Sequence, residues 1–270
     1  MTIHRMLGSA AILATLCVTL VAQQQAPSGY HRVTCVKVKP GRTAEFRALI
    51  SGDISKVEHS EVDSGTISGW LLLRTMVPAG SDASCDYVLV AFYPGLPPAP
   101  MSDEETKAVI EKAGIGKTLS EWQQEHTDNG YQVSNNITRY VTLVGAAKKG
   151  DYLVFNSMSV SDLSAWIDWE KKNWQPFAQA LVKNGILSAW AINEQVFPHG
   201  AKVQSQASSV DVYPSWEAAM HGFGGKKVTD LWNSVHPDLK FADANAQAAK
   251  LRTIDAATLY KVEEAIFPAK

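Results

Sequence analysis

One displacement constrains this chain more than any other feature. Shifted by 120 positions without a gap, Gly65-Thr66-Ile67-Ser68-Gly69-Trp70 falls on Gly185-Ile186-Leu187-Ser188-Ala189-Trp190. The same shift superposes Pro78 on Pro198, Gly80 on Gly200 and Tyr93-Pro94 on Tyr213-Pro214. The matching residues are those that turns and strand ends select, so the chain reads as a duplication whose two halves share one topology.

Phe46, Leu49, Ile50, Ile54 and Val57 recur at helical spacing, and Trp166, Trp169 and Phe177 stand opposite Phe46, Leu49 and Val57 under the same shift. Each helix follows a strand-like run, 33–38 and 152–158, and precedes two more, 67–77 and 87–93 in the first half, 186–197 and 207–213 in the second. A second helix fits 102–126, interrupted at Gly114-Ile115-Gly116, with a counterpart over 215–234; closing strands fit 137–144 and 258–266. Each half therefore reads β-α-β-β-α-β, an α+β ferredoxin-like plan. Its helices cover one face of a four-stranded sheet, and the sheet of the other half is the simplest cover for the second face. The expected organisation is a leader over 1–22, a linker over 23–29, and repeats over 30–146 and 147–270.

The stretch Val38-Lys39-Pro40-Gly41-Arg42-Thr43-Ala44-Glu45-Phe46 runs from a strand through Lys-Pro-Gly into a helix. It resembles the first β-α junction of the dimeric α/β barrel superfamily, which includes antibiotic-biosynthesis-type monooxygenases and related stress-response proteins. The second half departs from the motif, having Ser159-Val160-Ser161-Asp162 where Lys-Pro-Gly stands. The resemblance implies two ferredoxin-like units closing a barrel, here within one chain, as a monomer with a pseudo-twofold axis or as a homodimer of such chains.

His4 and Arg5 precede an apolar run over 6–22 that ends in Leu20-Val21-Ala22 before Gln23. This is the pattern of a secretory signal peptide, with an uncleaved anchor as the alternative. A mature chain from about Gln23, exported to a periplasmic or extracellular space and free of the membrane after cleavage, is expected. It would retain Cys35 and Cys85, on neighbouring strands, either paired or as two buried thiols. A formal net charge of -2 argues against a nucleic-acid partner bound through a basic surface.

Several motifs lack the spacing their chemistry needs. Gly114 to Ser120 ends like a phosphate loop, but Glu111 stands where the first glycine belongs. Gly222-Phe223-Gly224-Gly225 has no dinucleotide spacing, and no Gly-x-Ser-x-Gly elbow occurs. His31, His59, His126, His199, His221 and His236 form no ligand pair, so no metal and no cofactor is expected; the resemblance alone raises haem, with His126 or His221 as its ligand. The tryptophans of the second half read as core, with an aromatic ligand cage as the alternative.

Strand alternation offers a pocket. If Val88, Val90 and Phe92, with Val210 and Val212, meet the helices, the opposite face points into the barrel. That face would present Leu71, Leu73, Leu89 and Ala91 as an apolar wall and Asn193, Gln195, Asp211 and Tyr213 as a polar one. Such a lumen suits a small amphipathic ligand. Asp211 beside Asn193 and Tyr213 could also serve as a base toward an activated phenol or enol. Two functions of different class follow: an exported small-ligand-binding protein, or a cofactor-independent monooxygenase-like enzyme, with a haem-dependent form less favoured.

Overall fold

The computed structural model describes residues 29–200, 203 and 205–268. The expected leader and all of the linker except Gly29 lie outside the described residues.

The first half runs β1 (Tyr30–Val38), α1 (Thr43–Leu49), a π-helical turn (Ile50–Ile54), α2 (Ser55–Asp63), β2 (Gly69–Val77), β3 (Tyr87–Tyr93), α3 (Asp103–Lys112), α4 (Leu119–Asn129) and β4 (Gly130–Gly145). The second runs β5 (Tyr152–Val160), α5 (Leu163–Trp169), a π-helical turn (Glu170–Trp174), α6 (Gln175–Lys183), β6 (Ala189–Phe197), β7 (Ala207–Tyr213), α7 (Trp216–His221), α8 (Lys226–Val235), α9 (Phe241–Leu251) and β8 (Arg252–Ile266). From α1 to β3 each element begins and ends 120 residues before its counterpart, the π-turns included. The shift continues into the last strands, where Thr138 and Tyr140 on β4 match Thr258 and Tyr260 on β8.

All eight strands form one closed antiparallel barrel in the order β1-β3-β2-β8-β5-β7-β6-β4. Each half contributes a ferredoxin-like sheet, β4-β1-β3-β2 and β8-β5-β7-β6, and the two join through the β2–β8 and β6–β4 ladders. This is the tandem ferredoxin-like α/β barrel, closed within one chain. Closure leaves no free sheet edge among the described residues.

Local sequence explains the element ends. Gly41, at φ 76°, turns the chain after Lys39-Pro40 so that α1 can fold back on the sheet. Ser102 with Glu105 and Thr118 with Glu121 build capping boxes that start α3 and α4 separately, so the helix expected over 102–126 is two helices around Gly114. The sequence reading missed α9, because its buried residues are the small Ala244 and Ala248 and its apolar stripe is faint. It also shortened β4 and β8, whose first halves carry polar, exposed residues.

Three apolar clusters result. Phe46, Leu49, Ile50, Trp70 and Leu72 join the first helix layer to the sheet. Trp166, Phe177, Leu181, Trp190 and Trp232 do so in the second half, which places these tryptophans in the core. Leu71, Leu73, Val88, Val90, Phe92, Leu153, Val212 and Val262 form the cluster inside the barrel. Cys35 and Cys85 also belong to this inner cluster and are joined in a disulfide, which ties β1 to the loop before β3.

Candidate functional site: polar groups on both sides of the barrel wall

The expected pocket wall is divided by the barrel wall itself. Leu71 and Leu73 face the lumen, as reasoned from β2. Leu89 and Ala91 pack under the first helix layer, while Val88, Val90 and Phe92 point inward, opposite to the expectation. The ladder gives the reason. Leu71 pairs with Val90 and Leu73 with Val88, and directly paired residues share a face. The second half repeats the correction: Val210 and Val212 are inside, and Tyr213 lies among the helix-side residues. Asp211, on the same face of β7 as Tyr213, is therefore also under the helices. Asn193 stays in the lumen, and Gln195 reaches the end of β6, where its Nε2 donates to the Pro198 carbonyl at 3.0 Å. It lines an open depression of about 230 Å³ there, with Pro198 and His199.

Inside the barrel, Asn193 belongs to a polar strip that the sequence reading did not assemble. Tyr140 on β4 pairs with Asn193 on β6, and Thr138 pairs with His31 on β1. His31 Nδ1 lies 3.0 Å from Thr138 Oγ1, and its ring packs edge-on against Tyr140 and Phe92. Asn193 Nδ2 donates to Ser208 Oγ at 3.3 Å. His31 and Asn193 are 3% and 5% exposed, yet His31 Nε2 and Asn193 Oδ1 have no hydrogen-bond partner among the described residues. Burial drives the His31 pKa down to about 3, so the imidazole is neutral at ordinary pH. Buried polar atoms left unpaired each cost about 1–3 kcal/mol, a cost that a bound polar group would remove.

Outside the barrel wall, under the second helix layer, a second cluster is charged. Asp211 Oδ2 accepts from Asn156 Nδ2 at 2.9 Å, and Ser209 Oγ lies 3.1 Å from the same amide nitrogen. Glu170, first residue of its π-turn, accepts from Trp166 Nε1 at 3.0 Å and meets Arg252 Nε at 3.4 Å. Burial raises both carboxyls to about 7; Arg252 and the hydrogen-bonding partners counter the rise, and the Asp211 charge adds to it at Glu170. Tyr213 is pushed above its ordinary range, first by burial and then by Asp211. Asp211 and Tyr213 are thus brought together, but away from Asn193 and Gln195.

Signals for the missing members were present in the chain. The Thr138-x-Tyr140 and Thr258-x-Tyr260 repeat marked the lumen side of β4 and β8. Glu170 falls on Ile50 under the 120-residue shift, a charge on an apolar stripe.

The residues present do not fit a haem. His126 Nδ1 sits 2.7 Å from the Trp122 carbonyl with its ring against Trp122, and His221 is exposed at the end of α7. Trp174, Phe177, Trp232 and Phe241 fill the layer between the second helices and the sheet by mutual ring contacts. Among the described residues no group of His, Cys, Asp and Glu is arranged to hold a metal ion.

No protein-family model matches the sequence, and no curated protein is significantly similar to it. Solved structures are similar in fold. A candidate monooxygenase from Fusobacterium nucleatum subsp. nucleatum superposes with a TM-score of 0.52 at 8% identity, over 90% of this chain and 95% of that one. A candidate monooxygenase from Lactobacillus acidophilus matches at TM-score 0.48 and 9% identity, over 90% of this chain and 100% of that one. A candidate chlorite dismutase matches at 0.46 and 12%, over 87% and 94%. At such identities the likeness is one of fold.

Proposed function

We propose that the protein is exported and binds a small amphipathic molecule inside its barrel. The observation that carries this reading is the pair of buried atoms without a partner among the described residues, His31 Nε2 and Asn193 Oδ1, in a lumen also lined by Leu71, Leu73, Val90 and Phe92. An eight-stranded barrel has an interior wide enough either to be filled by side chains or to hold one small ligand. The Cys35–Cys85 bridge supports export, because disulfides persist outside the reducing cytoplasm. Native mass spectrometry of the protein purified from its host tests the binding: a reproducible adduct released on denaturation is expected, and a bare polypeptide mass would contradict it. N-terminal sequencing of secreted material tests the export. A start near Gln23 is expected, and full-length protein confined to the cytoplasm would contradict it.

A second reading, a cofactor-independent monooxygenase-like enzyme, is favoured by one observation. The candidate monooxygenase from Fusobacterium nucleatum shares this fold at a TM-score of 0.52. Oxygen uptake with a hydroquinone-type phenol would support it; no uptake by the wild type would exclude it for that substrate class.

A further inference from the structure

We propose that the lumen site takes an uncharged molecule bearing a hydroxyl group, and that this molecule enters at the barrel end stoppered by Phe267. The inference rests on the lumen reading above.

The chemistry of the two unanswered atoms selects the ligand class. Phe92, Thr138, Tyr140 and Ser208, which touch His31 or Asn193, carry no charge. His31 stays neutral and supplies no counter-charge. A carboxylate or ammonium seated there would lose its hydration without a compensating ion pair. Whichever way the Asn193 amide is turned, one of its polar ends has no partner, and whichever His31 nitrogen carries the proton, Nε2 is unanswered. A hydroxyl both donates and accepts, so it can accept from Nε2–H and donate to Oδ1, whereas an ether or ketone only accepts. One consistent circuit has Thr138 donating to Nδ1, Nε2–H donating to the ligand oxygen, the ligand hydroxyl donating to Asn193 Oδ1, and Asn193 Nδ2 donating to Ser208.

The entrance follows from Gly69. Phe267 succeeds the last residue of β8, and its ring lies where a Cβ on Gly69 would be, at 2.4–2.5 Å. The ring is 5.8 Å from Phe92, whose own ring meets His31 at 5.0 Å. Phe267 is 43% exposed, so one side of this stopper is in solvent and the other lies on the aromatic path to His31. Across the lumen at the same end of the barrel, the 120-residue shift puts Ala147 for Phe267, Ala189 for Gly69 and Val212 for Phe92, and all three pack into the inner cluster. The glycine that makes room for a partly exposed ring therefore belongs to one half alone.

The test uses the full mature chain and four probes of similar size: cyclohexanol, methylcyclohexane, cyclohexanecarboxylate and cyclohexylammonium. Protein NMR titration should show cyclohexanol bound at least tenfold more tightly than methylcyclohexane, with no saturable binding of either ion. Phe267→Ala, and independently Gly69→Ala, which displaces the ring, should each raise the cyclohexanol association rate about tenfold and change Kd less. If either ion binds as tightly as cyclohexanol, the ligand class is overturned while the lumen reading stands; if no probe binds, both fall. Unchanged association rates in both folded variants would overturn the entrance.

Discussion

Glu170 stands at the head of its π-helical turn where Ile50 stands at the head of the other. Around them the substitution continues: Asn156 replaces Val36, Asp211 replaces Ala91 and Arg252 replaces Gln132. One architecture thus holds an apolar joint between helices and sheet in one half and a charged joint in the other. Buried ionic groups are poor sources of stability compared with apolar residues of similar shape, so the charged joint costs the fold something.

That cost has a pH signature. Folding raises Glu170 and Asp211 from near 4 to about 7, so the native state holds more protons than the unfolded chain across that window. Stability contributed by this pair is therefore fully present in acid, falls as pH rises from about 4 to 7, and stays low above it. Burial gives Glu58 a shift of the same sign, whereas the depressed His31 acts oppositely between about 6.5 and 3. Grafting the residues of the first half, Asn156→Val, Glu170→Ile, Asp211→Ala and Arg252→Gln together, isolates the pair because His31 and Glu58 are unchanged. The graft is expected to be more stable than wild type by roughly 1–4 kcal/mol at pH 8, with a smaller gain at pH 5. Chemical denaturation at the two pH values measures it, and a pH-independent gap would contradict the assignment.

Arg252→Gln alone should behave differently. It removes the cation beside Glu170 and leaves a buried carboxylate to neutralise itself by taking a proton. A loss of about 3 kcal/mol is expected at pH 8, shrinking by pH 5 where Glu170 is protonated. Urea midpoints at both values check this.

The halves were legible in the sequence because glycine, proline and tryptophan occupy positions that turns and helix–sheet contacts restrict. Trp70 and Trp190 are each 1% exposed at equivalent points of β2 and β6. The inward set of β3 was not legible, because both faces of this sheet are dry: Val88, Val90 and Phe92 look no different from Leu89 and Ala91 when one set meets helices and the other meets the opposite sheet. Only the cross-strand pairing of Leu71 with Val90 decides it. Asp211 was placed on the wrong side for the same reason. Its partners Glu170 and Arg252 come from elements distant in sequence, so no local motif announces the cluster.

The disulfide should be structural. Cys35→Ser with Cys85→Ser removes a link across a sequence separation of 50 within the inner cluster. A loss of about 2–4 kcal/mol is expected from the double variant. Thermal melts of the variant against oxidised wild type check it, and equal melting temperatures would show that the bridge adds nothing.

Gly145 closes β4 at φ 75°, and a Cβ there would stand 2.2 Å from the Ser188 carbonyl oxygen. Because backbone rather than a flexible side chain blocks that space, Gly145→Ala should destabilise by on the order of 2 kcal/mol or more. Gly52→Ala, inside the first π-turn with no atom within 4 Å of the added carbon, provides the control and should be neutral or slightly stabilising.

The electron density beside His31 and Asn193 tests most directly whether the lumen is a ligand site. A crystal structure at about 1.2 Å of protein purified from its host should show continuous, non-water density within hydrogen-bonding distance of His31 Nε2 and Asn193 Oδ1. Isolated water peaks that satisfy both atoms would contradict it and would make the barrel interior a hydrated core.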